Sequence, residues 1–186
     1  MKRVLFIAVA GLFVYGCSNS GQKTAPAAAQ PEQNQVVITN NMENAAAMVP
    51  SWINEKTVVK MENGKAHSGE YVTRVDANDV YSYAYRENFQ NISEKLPKRV
   101  IVNGWVNSTV IDKAISIIVD INEDNKSFFW KAYSLNETIK KANEWTEYTA
   151  YFTIDQPIKK NQQIKIFAFG GGKTAYFDDF RITFEY

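Results

Sequence analysis

The chain has 186 residues, 21 Lys plus Arg against 20 Asp plus Glu, and a net charge of +1. That is room for one domain or two small ones, with no electrostatic footprint for nucleic acid and no polybasic patch for a membrane surface. A single Cys and a single His exclude an internal disulfide and a Cys/His zinc site, which needs three or four ligands.

In chain order, Met1-Lys2-Arg3 is a charged start, and Val4 to Tyr15 is an apolar run of 12 residues. A membrane-spanning helix needs about 20 apolar residues, so the run is too short to span but suits the h-region of a signal peptide. Val14-Tyr15-Gly16-Cys17 follows it. This tetrad resembles the bacterial lipobox, with an aliphatic residue at −3, a small one at −1 and then the Cys that is acylated and becomes the new N-terminus. Tyr15 is larger than usual at its position. The bland alternative is an ordinary cleaved signal with an incidental Cys. Acyl chains on Cys17 would anchor the protein stably, each buried methylene contributing about 0.8 kcal/mol. The resemblance implies a signal peptide over 1–16, a lipidated Cys17 (palmitate among its acyl groups) and an extracytoplasmic location. Ser18 rather than Asp follows Cys17, which resembles the outer-membrane class of Gram-negative lipoproteins. The membrane contact is then through the lipid anchor alone.

Residues 18–35 are small, polar and rich in Pro, Ala and Gln. Such a segment buries too little apolar surface to offset its ordering entropy, so 17–35 is read as a lipidated Cys and a disordered, flexible tether.

From Val36 to Tyr186, β-branched and aromatic runs alternate with turn residues, as short strands do. Strands are predicted near 36–39, 56–61, 70–75, 80–89, 98–107, 114–122, 126–133, 145–154, 163–169 and 174–186. Within 163–169, Ile164, Ile166 and Ala168 share one face, and Lys165, Phe167 and Phe169 the other. Asn63-Gly64, Asn78-Asp79, Glu123-Asp124-Asn125 and Gly170-Gly171-Gly172 carry turn chemistry, the last read as a hairpin. Only 136–142 has a brief helical character. Ten strands without a βαβ rhythm predict an all-β, two-sheet antiparallel β-sandwich, a jelly roll, over 36–186.

Five short motifs then stand in order: Asn41-Met42-Glu43-Asn44, Ala66-His67-Ser68-Gly69-Glu70-Tyr71, Val102-Asn103-Gly104-Trp105-Val106, Trp145-Thr146-Glu147-Tyr148, and Ala175-Tyr176-Phe177-Asp178-Asp179-Phe180-Arg181-Ile182. Together they resemble the carbohydrate-binding modules with a galactose-binding-domain-like jelly roll, over nearly all of 36–186. Met42 replaces the family's usual Phe or Gly-rich start, and the groove aromatics do not align. The resemblance implies a structural Ca²⁺ held by Glu43 and Asp179, with Asp178 as a second candidate. Calcium takes six to eight hard oxygen ligands, and one ion would tie the first strand to the last. Alternatively, Asp178 and Asp179 only interrupt hydrophobicity at a strand, or pair with Arg181. Trp105 and Trp145 stand at positions that are core in the family.

Tyr81, Tyr83 and Tyr85 recur at every second residue, so on a regular strand they share one face. Three rings in a row either stack on sugar rings or fill the core, with small Ser82 and Ala84 opposite favouring the second. Phe128-Phe129-Trp130 puts rings on both faces of one strand, and Trp130 with Lys131 and Tyr133 is a candidate concave surface. Trp52 is either a ligand platform or a lid over an open end. His67 has no G-x-S-x-G-type nucleophile to serve. Gly172-Lys173-Thr174 is no phosphate loop, since Phe167 stands where the first Gly of that motif belongs. No carboxylate pair stands out for glycosidase work. The expectation is a non-catalytic, glycan-binding lipoprotein whose partner is a polysaccharide or envelope glycan. The alternative is a structural lipoprotein that contacts an envelope protein and binds no sugar.

In a bacterial host, the Cys17→Ser chain should lose metabolic palmitate labelling and move from the membrane to the soluble fraction. Labelling unchanged by the substitution contradicts the lipobox reading.

Overall fold

The computed structural model describes residues 34–186 except Met48, Asn63, Gly64 and Asn125; the expected leader, Cys17 and the expected tether as far as residue 33 lie outside the described residues, while Gln35, read as the tether's last residue, opens the first strand. The strands are β1 (Gln35–Asn40), β2 (Trp52–Ile53), β3 (Val58–Lys60), β4 (Tyr71–Val75), β5 (Ala84–Asn88), β6 (Arg99–Ser108), β7 (Ser116–Glu123), β8 (Lys126–Ser134), β9 (Trp145–Thr153), β10 (Gln163–Phe169) and β11 (Ala175–Glu185). They form two antiparallel sheets. One has the order β3-β4-β11-β6-β9, with β1 also paired to β11; the other has the order β2-β5-β10-β7-β8. The protein is an all-β sandwich of jelly-roll type, as alternation and turn chemistry predict.

The core lies between the sheets. Val100, Val102, Phe152, Phe177, Ile182 and Phe184 from the larger sheet meet Tyr85, Ile117, Val119, Ile121, Ile164 and Ile166 from the smaller one. All come from the inward register of alternating strands; β6, for example, reads exposed-buried along its whole length.

β11 organises the larger sheet. Its residues 175–177 pair with β4, and its residues 180–185 pair with β1, while β6 runs along the other side. Between Asp178 and Arg181 the register with β6 shifts, and Asp179 takes φ 53°. Asp178 still pairs with Trp105, and the bulge takes Asp179 and Phe180 out of the β6 ladder.

Four local expectations are corrected. Gly170-Gly171-Gly172 is not a hairpin: it carries the chain from β10 in one sheet to β11 in the other. Gly171 and Gly172 have φ 57° and 80°, which glycine alone adopts without strain. Residues 136–142 form no helix but a single turn, Ile139 N–H donating to Leu135 O at 2.8 Å. A short helix α1, Phe89–Ile92, instead follows β5, beginning at the last residue of the strand read as 80–89. Finally, β2 was missed, since a two-residue strand has no period to read.

Gly104 and Tyr148 face each other across the β6–β9 ladder. A Cβ on Gly104 would stand 2.6 Å from Tyr148 Oη and 3.0 Å from Asp178 O. That hydroxyl is buried without a hydrogen-bond partner among the described residues, and burial holds its pKa well above the usual phenol range. Gly104→Ala should therefore cost about 1–3 kcal/mol by overpacking in urea denaturation. Tyr148→Phe should be neutral or stabilising, because it deletes an unpaired buried hydroxyl. The double variant should recover part of the loss, since Tyr148 Cζ and Asp178 O remain 3.0 Å from the new Cβ; additive losses contradict this contact.

Candidate functional site

The outward face of the smaller sheet is a groove of about 560 Å³ lined by Asn54, Tyr81, Ile118, Asp120, Trp130, Lys165, Phe167 and Phe169 among others. Its floor follows from register. Ala132, Ile118 and Phe167 stand in one cross-strand row, Trp130, Asp120, Lys165 and Arg86 in another, and Ala84 pairs with Ile53 at the far edge. Phe169 is bridged to Tyr81. Tyr81 meets Phe167 edge-on at 5.4 Å and lies tilted at 5.6 Å from Phe169, an aromatic cluster at one end.

Two rings stand proud of this floor. Trp130 is 57% exposed on edge strand β8, and Tyr81 is 54% exposed just before β5. Lateral strand spacing of about 4.8 Å puts β8 and β5 about 14 Å apart, with β7 and β10 between them. Phe128 is also outward, while Phe129 enters the core. Asn54, held at φ 71°, donates Nδ2–H to Tyr81 O and Ser82 O and so fixes the backbone that presents Tyr81. Asp120 accepts from Ser127 Oγ–H and Asn122 Nδ2–H.

Of the five aromatic candidates, Tyr81 and Trp130 line the groove. Tyr83, Tyr85 and Trp52 do not: they are core, at 1%, 3% and 8% exposure, with Trp52 stacked on Tyr83 at 5.3 Å. The common face expected for the three tyrosines fails for a local reason. Tyr83 N–H donates to Thr73 Oγ1 of β4 in the other sheet, and Ala168 N–H donates to Ser82 Oγ. The backbone leaves the ladder at 82–83, and the period of two restarts at Ala84. The grouping of Trp130 with Lys131 and Tyr133 is also corrected. Those two lie on the opposite face of β8, Lys131 reaching Asp155 and Thr153 O at the exposed rim and Tyr133 packing onto Phe152. The sequence did mark the alternate face of β10, but Phe167 and Phe169 were not recognised as groove residues.

On the larger sheet, the implied calcium residues surround the 67–71 loop. Asp178 is fully buried; its Oδ2 accepts Ser68 N–H at 2.9 Å and its Oδ1 accepts Asp179 N–H at 2.7 Å. Asp179 accepts from Ser68 Oγ–H at 2.7 Å and lies 2.7 Å from His67 Nδ1. Glu43 reaches the same loop from another side, its Oε1 accepting Glu70 N–H and Tyr71 N–H, both at 2.9 Å. Its carboxylate fills the space of a Cβ at Gly69, which has φ 55°. His67, Asp178 and Asp179 place ligand atoms within 4.8 Å of one another, a group that does not include Glu43. As arranged, this donor set does not fit calcium: five of the six carboxylate oxygens face protein donors, and the third convergent group is an imidazole nitrogen. His67 also stacks on Trp105 at 3.8 Å, and Trp145 Nε1–H donates to Lys65 O. Both tryptophans thus pack beneath the loop on the outer face, not in the core between the sheets.

No family model matches the chain, and no curated protein sequence matches it. Several solved structures are similar to this chain, carbohydrate-binding modules among them. One is the family-22 module described as the first xylan-binding domain of Xyn10C from Paenibacillus barcinonensis (11% identity, TM-score 0.48, covering 80% of this chain and 93% of that one). Another is the C-terminal family-6 module of the laminarinase LamC from Zobellia galactanivorans (11% identity, TM-score 0.41, covering 80% and 99%). A cyclase from Fischerella sp. TAU is similar to the same extent (11% identity, TM-score 0.47, covering 80% and 97%).

Burial, followed by the charge of Asp179, raises the Asp178 carboxyl from its ordinary 3.8 to about 6, against the N–H donated by Ser68. A raised carboxyl binds its proton more tightly when folded. Its favourable contribution is complete below 3.8 and is lost as pH rises through about 6. Wild-type stability relative to Asp178→Asn should therefore fall between pH 4 and 7, by on the order of 1–3 kcal/mol, with chelator present or absent. The opposite slope would mark a cation beside the carboxylate.

Proposed function

We propose that this chain is a non-catalytic glycan-binding lipoprotein, anchored through Cys17 in the outer membrane of a Gram-negative bacterium, with the groove as its binding surface. One observation carries the reading: an exposed tryptophan and an exposed tyrosine stand across an aromatic-floored groove that also offers Asn54, Asp120 and Lys165. Sugar rings present apolar C–H faces and polar edges. Rings that stack on those faces, with a few fixed polar groups beside them, are what such a ligand needs. The width between Trp130 and Tyr81 suits several sugar units better than one. The resemblance of the five motifs to carbohydrate-binding modules supports the same reading, and the lipobox supports the anchor.

A second reading, contact with an envelope protein, is favoured by one feature of the other sheet. Val37 (38% exposed) and Tyr151 (57%) are exposed in a cross-strand row with Thr183 and Ile101.

Affinity electrophoresis against plant, algal and peptidoglycan-type polymers tests the glycan reading. At least one polymer should retard the protein. Trp130→Ala and Tyr81→Ala should each weaken that binding about tenfold or more, as buried aromatic anchors do, with thermal stability little changed because both rings are exposed in the free protein. No retardation by any polymer, or retardation unchanged in both variants, contradicts it.

A further inference from the structure

The row beside Trp130 has an unusual charge order. Asp120 stands opposite Lys165, and Lys165 stands opposite Arg86 on β5. Like charges directly across a strand pair destabilise a sheet. Lys165 and Arg86 nonetheless have no ion-pair partner among the described residues. Asp120 forms no ion pair with Lys165, its two oxygens accepting from Asn122 and Ser127, so the row holds one carboxylate beside two cations. Gln163 and Asn88 form the next pair on the same face, two residues along, while Glu87, opposite Ile164 between them, is turned to Ser51 and Asn91. Tyr81, Phe167 and Phe169 thus form the aromatic end of the groove, Lys165 lies on its lining, and Arg86 with the Gln163 and Asn88 amides continues the same sheet face beside it. This is a local feature, since the chain as a whole carries a net charge of only +1.

The geometry points to an anionic glycan as the ligand: a polymer whose sugar faces stack on Tyr81 and Trp130 and whose carboxylate or sulfate groups meet Lys165 and Arg86. This rests on the glycan reading of the groove and narrows it to one chemical class. An anion between the two cations would convert their repulsion into charge-assisted hydrogen bonds, which are shorter and stronger than neutral ones.

The test uses the whole chain in affinity electrophoresis on polymers with matched backbones: a neutral galactan and a neutral glucan, each beside its own C6-oxidised (uronate) form and its own sulfated form. At least one anionic polymer should be bound about tenfold or more tightly than its neutral counterpart, and the preference should fall steeply with added salt. The carboxylated and sulfated arms separate the two sources of charge. Lys165→Gln and Arg86→Gln should each bring the ratio of anionic to neutral binding towards one. Thermal melting, with salt dependence of the surviving variant, guards against loss of fold in either substitution. Neutral polymers bound as tightly as anionic ones, or a preference that persists in both variants, overturn the inference and leave the glycan reading standing. Failure to bind any polymer, neutral or anionic, overturns both.

Discussion

Strand β10 holds two surfaces in one register. Ile164, Ile166 and Ala168 are buried against the larger sheet, while Lys165, Phe167 and Phe169 face the groove. A slip of one residue against β5 or β7 would exchange the two sets. It would expose two isoleucines, each contributing about 1.5–3 kcal/mol by burial, and drive an unpaired lysine into the core, which costs several kcal/mol more. The register that builds the core thus fixes where the groove residues stand. Trp130 and Asp120 inherit their places from β10 through β7, and Tyr81 inherits its place through the bridge to Phe169.

A second junction joins the first and last strands of the larger sheet. At the β11 bulge Asp178 and Asp179 meet the 67–71 loop, and Glu43 grips the same loop from the segment after β1. Backbone N–H groups, a serine hydroxyl and an imidazole occupy the carboxylates. One buried acid lies beside a second acid there, so the junction holds the loop at an electrostatic cost. The loop in turn covers Trp105 and Trp145, keeping two large rings of the outer face from open solvent.

Most of the fold was legible because period-two patterning is physical: one face of each strand must meet the other sheet. The ten predicted strands and the double character of β10 come from that alone. What was not legible depended on bonds between distant residues. Nothing near Tyr83 announces that its N–H will find Thr73, yet that bond restarts the alternation and sends Tyr83 and Tyr85 inward. The bulge at Asp179, the partnership of Gly104 with Tyr148, and the convergence of Glu43, His67 and Asp178 on one loop likewise join segments far apart in the chain. Trp130 was legible as an outward ring because β8 is regular there. Its neighbours across the groove were not, since β10 and Tyr81 lie far from β8 in the chain and come beside it only through pairing of β10 with β7 and of Tyr81 with Phe169.

The central claim is that the groove of the smaller sheet, and not the outer face of the larger one, meets the ligand. The four tryptophans report on it separately. Trp130 lies in the groove, Trp52 in the core, and Trp105 and Trp145 under the 67–71 loop. Titration of the isotope-labelled protein with oligosaccharides from a bound polymer, followed at the indole N–H signals, distinguishes them. The account predicts a large shift at Trp130 with Trp105 and Trp145 still. Shifts at Trp105 and Trp145 with Trp130 unmoved would contradict it.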